Sequence, residues 1–266
     1  LPILSLALCS CGKVDEYKHL LIEGDANVIL LIGQSNASGN SPWEYLKDTD
    51  KEVYDTFKEG TNNVLTSYYV HSSNNIDFFE PTRFGMGDAR SLFGTEIGIA
   101  DVFRKENTTT YIIKYAIGAT TLDDQWLDKK MNRGDLYNGS VNWFKEKLGY
   151  LQENHVNPRL IGMFWMQGEG DARDNIATKY EDNLKHMISY YREDLKAYYV
   201  DHLNFVDAYI STKTLWPKPN EVNQCKQRVA DSDPHNFVIK TNGEDETAID
   251  LNVKRASNQG DDAAHY

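Results

Sequence analysis

The sequence is poor in cysteine, with three in 266 residues, at positions 9, 11 and 225. Two of them lie close to the N-terminus, in a segment that is typical of a processing signal rather than of a folded domain. Only Cys225 then remains in the folded part of the chain. A framework of disulfides within the domain is therefore excluded.

The chain also lacks an excess of basic residues. Its 28 Lys and Arg against 40 Asp and Glu give a formal charge of −12 and a pI near 5.0. Nucleic-acid binding requires a basic surface, so this charge argues against such a partner. After residue 11 no apolar stretch approaches the ~20 residues of a transmembrane helix. No HExxH or clustered metal-ligand spacing is present, so neither a metal nor an organic cofactor is implied.

Apolar residues are plentiful enough for a sizeable core. Hydrophobic residues make up 40% of the chain and aromatic residues 12%, which argues against general disorder. A length of 266 residues is typical of one α/β domain, with two small domains as the alternative. No internal repeat, low-complexity tract or obvious linker divides the chain.

The N-terminus begins with the apolar run Leu1–Leu8, followed by Cys9-Ser10-Cys11-Gly12. This segment resembles the end of a bacterial lipoprotein signal, with a small residue before the cysteine that becomes lipidated. The resemblance implies lipidation at Cys11 and export to a membrane surface, periplasmic or external. The alternative is a frayed terminus with two incidental thiols. We therefore divide the chain into a truncated signal remnant (1–11), a leader (12–26) and a domain (27–266).

The run Val28–Ile32 consists of five aliphatic residues and predicts a strand buried on both faces. It breaks at once into the small and polar residues Gly33–Gly39. Ligands of open α/β sheets collect where parallel strands end, so Ser35 would lie at a reactive edge. The alternative is that Ser35 only caps a helix.

Strands and helices alternate along the rest of the chain. Residues 41–91 show little periodicity and predict a long irregular segment that shapes the substrate site. The patterns predict strands over 110–117, 159–166, 203–210 and 236–240, and helices over 95–106, around 141–151, over 172–198 and around 222–229. This order predicts βαβ units, and therefore a parallel sheet with helices on both faces.

Three predicted strands end in small and polar turns, at Gly33-Gln34-Ser35-Asn36, Gly118-Ala119 and Gln167-Gly168-Glu169. If these turns meet at one edge, they supply a hydroxyl, uncrowded backbone N–H groups and an amide, as acyl transfer requires. A base is present in Asp262-Ala263-Ala264-His265, where the carboxylate can orient the imidazole. Taken singly, a DxxH pair is also typical of a solvated turn. Most of the other histidines are interpreted as surface residues, and His186 lies within the predicted long helix.

Four motifs occur together in this order: GQSN at 33–36, GTEIG at 94–98, WMQGEGD at 165–171 and DAAH at 262–265. With these four motifs in this order, the chain resembles the SGNH-type carbohydrate esterases. The similar group is that of sialate O-acetylesterases and acetylxylan esterases, carbohydrate esterase family six and relatives. The resemblance covers residues 27–266. It implies an α/β fold, a three-layer α/β/α sandwich with a central parallel sheet of the flavodoxin-like kind.

The resemblance also implies a catalytic triad and an oxyanion hole. Ser35 would be the nucleophile, His265 the base and Asp262 the residue that orients His265. The oxyanion donors would be the backbone N–H groups of Ser35 and Gly118 and the side chain of Gln167. The remaining motif residues would hold the loops: Asn36, Glu96, Glu169 and Asp171.

Several positions depart from the pattern of the family. Ala119 stands where many relatives have a second glycine, and Ala263-Ala264 replaces a segment that often contains glycine. Asp261 is an alternative to Asp262. Relatives continue into a closing helix, so the domain is expected to be truncated at its C-terminus.

The implied activity is that of a serine esterase that removes O-acetyl groups from sialic acid or xylan-type glycans, without a cofactor. One alternative is an esterase of the same fold acting on a non-carbohydrate ester. Another is a non-catalytic glycan-binding lipoprotein. The expected partner is an acetylated glycan, with no nucleic acid and with membrane contact only through a lipid anchor. Five aromatic residues are candidates for stacking on sugars, with ordinary packing as the alternative: Trp43, Tyr45, Tyr68, Tyr69 and Trp126.

Overall fold

A computed structural model describes residues 21–72, 74–212, 216–241 and 265. Seven strands of this part form one sheet in the order β3-β2-β4-β1-β5-β6-β7. Every neighbouring pair is parallel except β2 and β3, which are antiparallel. The strands are β1 Gly24–Gly33, β2 Val64–Val70, β3 Ile76–Pro81, β4 Thr110–Ala116, β5 Val156–Met166, β6 Asn204–Ala208 and β7 Asn236–Ile239. The predicted sheet is thus confirmed, with one antiparallel strand at its edge.

Strand β1 lies at the centre of the sheet because its aliphatic run has no polar side chain to expose. Val28–Ile32 are all fully buried. The last residue of β1, Gly33, pairs with Ala116 of β4 and with Met166 of β5. Three strands therefore end together at one edge, as the sequence predicts.

Helices cover both faces of the sheet. They are α1 Ser35–Ser38, α2 Leu46–Thr49, α3 Lys51–Glu59, α4 Thr95–Phe103, α5 Asp135–Glu153, α6 Tyr180–Asp194 and α7 Pro219–Asp231. Val28, Leu30 and Ile32 contribute to the core that includes buried residues of α5, α6 and α7. Ile29 and Leu31 contribute to the core that includes residues of α1, α3 and α4. This alternation along β1 produces the three-layer sandwich.

The prediction of an irregular segment over 41–91 is wrong. This segment contains α3, β2 and β3, together with a small two-stranded sheet that pairs Ser41–Pro42 with Leu92–Phe93. Strand β2 was missed because Thr66 and Ser67 interrupt its apolar run, although both are fully buried. Helix α3 buries only Phe57, so its apolar face is narrow.

The prediction of one helix over 172–198 is wrong at both ends. Helix α6 begins at Tyr180, after a short 3₁₀ turn at Ala177–Lys179, and it is followed by another at Lys196–Tyr198. No helix of the described part is long and apolar enough to span a membrane. Cys11 and the rest of residues 1–20 lie outside the described residues.

Candidate active site

The strand-to-helix turn after β1 places Ser35 at the edge of the sheet. Gly33 has a φ of +145°, and a β-carbon at this position would lie 2.2 Å from the backbone oxygen of Met166. Gln34 N donates to that oxygen at 3.0 Å. Glycine is thus required for the close approach of β1 and β5 from which the turn emerges.

The carbonyl oxygen of Ser35 fixes the turn. It accepts hydrogen bonds from Gly39 N at 2.9 Å, Ser38 Oγ at 3.0 Å and Asn40 Nδ2 at 3.0 Å. Ser35 is also the first residue of α1, so its own N–H has no acceptor within the helix. The half-buried side chain thus stands on a rigid turn beside an available backbone donor.

Gly118 follows β4 and lies against Ser35. A β-carbon built on Gly118 would stand 3.6 Å from the β-carbon of Ser35, and Ile117 N donates to Gly33 O at 3.0 Å. The chain then turns at Ala119, whose φ is +58°. The structure therefore brings together the first two of the three predicted turns.

A cavity of about 550 Å³ opens beside Ser35 and contains His265 in its wall. The structure thus brings the predicted nucleophile and base to the same cavity, and the imidazole is half-buried. Asp262 and Asp261 lie outside the described residues. The described lining residues are Gln34, Ser35, Asn40, His71, Ser72, Asp88, Gly118, Ala119, Glu169, Gly170, Arg173, Trp216 and His265.

Gln167 is fully buried and does not line this cavity. Its Nε2 donates to Thr120 O at 2.9 Å and to Asp171 Oδ2 at 2.6 Å, which uses both amide hydrogens. Its Oε1 accepts from Tyr180 at 3.2 Å. In this arrangement the side chain fastens the turn after β5. The predicted role of Gln167 as oxyanion donor stays a prediction, and this geometry gives it no support.

Glu169 fastens the turn that carries Ser35. One carboxylate oxygen accepts from Gln34 Nε2, and the other accepts from Asn36 Nδ2 at 2.6 Å. Burial raises the pKa of Glu169, while hydrogen bonds and the electrostatic interactions with Lys226 and His265 act in the opposite direction. Glu169 thus holds the loop as predicted. It also lines the cavity within electrostatic range of His265, which the sequence did not indicate.

Two further motif carboxylates hold the backbone around the site. Asp171 accepts from Leu122 N at 2.8 Å and from Asp123 N at 3.1 Å, and burial raises its pKa to about 6. Glu96 forms a fully buried ion pair with Lys114 at 2.8 Å. The structural roles predicted for both residues are confirmed.

The residues that sequence reasoning missed lie on several separate loops. His71 is exposed, as predicted, but it lies at the cavity together with Asp88, Arg173 and Trp216. Of the five aromatic candidates for sugar stacking, none lines the cavity. Trp126 and Tyr68 are buried in the core, Trp43 stacks on Phe84 and Tyr69 stacks on Tyr115. No signal local to the sequence distinguishes Trp216 from these residues.

No group of three or more His, Cys, Asp or Glu side chains in the described ranges is arranged to hold a metal ion.

A search with family sequence profiles matched residues 25–264 to the family described as "Carbohydrate esterase, sialic acid-specific acetylesterase". A search among curated proteins found no match.

Solved structures of low sequence identity share the fold. A protein from Arabidopsis thaliana superposes with a TM-score of 0.61 at 16% identity, with 90% of each chain covered. NanS gives 0.60 at 15%, covering 84% of this chain and 80% of NanS. A carbohydrate acetylesterase from Xanthomonas citri gives 0.56 at 17%, covering 84% of this chain and 50% of that one. At these identities the likeness is evidence for the fold alone.

The family match spans most of the chain and includes the GQSN, GTEIG and WMQGEGD motifs. It agrees with the resemblance inferred from those motifs. The chain therefore belongs to the carbohydrate esterase family of sialic acid-specific acetylesterases, and it is a carbohydrate O-acetylesterase.

Proposed function

We propose that the chain hydrolyses O-acetyl esters of a glycan with Ser35 as nucleophile and His265 as base. The observation that carries this proposal is that both residues line one cavity of about 550 Å³ at the edge of the sheet. The two residues come from opposite ends of the domain. Their convergence in a pocket of ligand size is what acyl transfer by a serine requires.

The proposed reaction has two steps. Ser35 Oγ attacks the acetyl carbonyl while His265 takes the hydroxyl proton, and the proton passes to the departing sugar oxygen as the ester bond breaks. Water, deprotonated by His265, then attacks the acetyl-serine, and acetate leaves as Ser35 regains its proton. The backbone N–H groups of Ser35 and Gly118 would donate to the oxyanion in both steps.

A carboxylate that orients His265 completes the proposal. Asp262 is the residue that the sequence favours, since it lies three positions before His265. Glu169 is a second candidate because it lines the same cavity and interacts electrostatically with His265. If Asp262 has this role, Asp262→Asn should lower kcat far more than Glu169→Gln lowers it at equal amounts of folded protein.

The polar wall of the cavity supports a sugar as substrate. Asp88 Oδ2 accepts from Asn40 Nδ2 at 2.8 Å, and both side chains line the cavity. Carboxylate and amide groups of this kind exchange hydrogen bonds with sugar hydroxyls. Trp216 offers apolar surface in the same cavity.

We also propose that the chain is an exported lipoprotein anchored through Cys11. This proposal rests on the sequence of residues 1–12 alone. Cys11→Ser in the full precursor should move the protein from the membrane fraction to the soluble fraction. Unchanged membrane association would contradict it.

The experiment that tests the esterase proposal measures acetate release from acetylated sialic acid, acetylated xylan and an aryl acetate. We expect hydrolysis of at least one acetylated glycan, and a fall in kcat of at least about 10³-fold in Ser35→Ala and in His265→Ala. Circular dichroism should confirm that both variants fold. Unchanged turnover in Ser35→Ala would overturn the mechanism, and hydrolysis of the aryl acetate alone would favour a non-carbohydrate ester. Glycan binding without any turnover would favour the non-catalytic lipoprotein.

A further inference from the structure

Lys114 places a charge inside the apolar core of the sheet. It lies on β4, where it pairs with Leu31 of β1 and with Tyr68 of β2, and its side chain is fully buried. Ile112 and Ala116, which lie two residues before and after it on the same face of the strand, belong to the apolar core. Replacing a buried ion pair by apolar residues is often neutral or stabilising, so stability alone does not explain this lysine.

The ammonium group of Lys114 joins three segments that are distant in sequence. Its Nζ donates to Ser38 O, to Met86 O at 2.9 Å and to Glu96 Oε2 at 2.8 Å. These three acceptors use all three hydrogens of the ammonium group. They belong to the end of α1, to the loop after β3 and to the first turn of α4.

The first of these segments carries Ser35. Helix α1 consists of the single turn Ser35–Ser38, which is too short to be stable by itself. The last carbonyls of a helix have no partner within it, and Lys114 supplies the donor for Ser38 O. Ser38 Oγ in turn donates to Ser35 O at 3.0 Å. Lys114 thus fixes the end of the turn on which the proposed nucleophile stands.

The two other segments pack against the same turn. Asp88, which lines the cavity, donates its N–H to Gly39 O at 3.0 Å. Gly94 N donates to Glu96 Oε1 at 2.8 Å, and a β-carbon built on Gly39 would lie 2.6 Å from Gly94 N. The ammonium group therefore stands where the turn of Ser35, the wall of the cavity and the start of α4 meet.

We propose that Lys114 is a positioning residue for the esterase reaction. Its ammonium group holds the end of α1 beside the loop of Asp88, and it thereby fixes the orientation of Ser35 at the cavity. The inference rests on the proposed function, in which Ser35 is the nucleophile. Lys114 is not among the described residues that line the cavity, so it acts through the turn rather than on the substrate.

The test separates positioning from stability with a double variant. Lys114→Met leaves the charge of Glu96 buried without a counter-ion, so the urea midpoint of unfolding should fall. Adding Glu96→Gln removes that charge, keeps an acceptor for Gly94 N, and should restore more than half of the lost stability. The double variant still lacks the ammonium group that donates to Ser38 O and Met86 O.

The folded double variant should therefore keep a low kcat on an aryl acetate. We expect it to lie at least about tenfold below the wild-type value, because a misplacement of about 1 Å can cost ~10²-fold in rate. KM should change little, since the orientation of the nucleophile matters for the transition state more than for substrate binding. A fluorophosphonate should label Ser35 more slowly in the same proportion.

Lys226 and Asp207 provide the matched control, because they form a second lysine–carboxylate pair that is almost fully buried. The ammonium group of Lys226 holds Gln167 O rather than the turn of Ser35. Lys226→Met combined with Asp207→Asn should recover stability in the same way and keep a kcat close to that of the wild-type protein.

A Lys114→Met, Glu96→Gln variant that recovers both stability and kcat would overturn the proposal, because the ammonium group would then be structural only. An equal fall in kcat in both double variants would also overturn it. A double variant that does not fold would do so too, since the pair would then be indispensable to the fold itself. Activity that persists in Ser35→Ala would instead overturn the proposed function. If the wild-type protein hydrolyses no ester, the labelling rate of Ser35 still decides the inference.

Discussion

Gly118 lies against Ser35 so closely that a β-carbon built on it would stand 3.6 Å from the β-carbon of Ser35. The two residues follow neighbouring strands, β4 and β1, whose last residues pair in register. The backbone of Gly118 thus lies beside the side chain of Ser35, with no β-carbon of its own to separate them. This relationship follows from strand order, and it is the geometric basis of the proposed oxyanion hole.

The turn after β1 depends on Gly33. We predict that Gly33→Ala lowers the free energy of unfolding by at least about 2 kcal/mol and lowers kcat, because the new methyl group meets the backbone of Met166 at a positive φ. Gly149→Ala is the control. Its position in α5 has no atom within 4 Å of a built β-carbon, so it should stabilise by about 0.5–1 kcal/mol. Urea unfolding measures both variants, and equal stability in the two would contradict this account.

Gln167 tests the division between structural and catalytic roles. The side-chain amide of Gln167 is hydrogen-bonded to Thr120, Asp171 and Tyr180. We therefore predict that Gln167→Ala lowers the free energy of unfolding by about 1–3 kcal/mol. The kcat of the folded variant should change by less than about tenfold, because the amide of Gln167 is hydrogen-bonded to Thr120 and Asp171 and does not line the cavity. Thermal unfolding and active-site titration separate the two quantities. A kcat lowered by about 10²–10³-fold with unchanged stability would show that Gln167 is an oxyanion donor after all.

Asp171 makes stability depend on pH in a definite direction. Burial raises its pKa from 3.8 to about 6 in the folded protein, so the folded state binds more protons than the unfolded state between these values. Stability from this group is therefore present below pH 4 and is lost as pH rises through 6. Relative to Asp171→Asn, the wild-type protein should lose up to about 3 kcal/mol between pH 4 and pH 7. Denaturant titrations of both proteins between pH 4 and pH 7 measure this difference in stability. Parallel pH profiles for the two proteins would contradict the prediction.

The buried cation Lys226 supports the turn that carries Gln167. Its Nζ donates to Gln167 O at 2.6 Å and to Asp207 Oδ1 at 2.5 Å, with both side chains almost fully buried. Lys226→Met should cost about 3–5 kcal/mol, because the Asp207 charge would then be buried without a counter-ion. Adding Asp207→Asn removes that charge and should restore more than half of the loss. A double variant no more stable than Lys226→Met would count against this explanation.

The central sheet could be predicted from the sequence because its main strands coincide with continuous apolar runs. Val28–Ile32 and Arg159–Met166 have no competing interpretation as amphipathic helices. Strand β2 could not be found in this way. Thr66 and Ser67 are fully buried, and they are satisfied by Thr82 Oγ1 at 2.8 Å and Ile76 O at 3.0 Å. These partners exist only once β3 has folded against β2.

The residues of the candidate site could be predicted where they belong to short sequence motifs. Ser35, Gly118 and His265 belong to short segments whose chemistry is visible in the sequence, and the structure places all three at one cavity. Asp88 and Arg173 come from unrelated loops with no periodicity. Their relevance arises from tertiary placement, which brings both residues to the wall of the cavity.

The most direct test of the central claim is covalent labelling by a fluorophosphonate, with the modified residue located by mass spectrometry. The account predicts a single adduct on Ser35 of the wild-type protein, slower labelling in His265→Ala, and none in a folded Ser35→Ala variant. An adduct at another residue, or an acetylesterase activity that persists in Ser35→Ala, would contradict it.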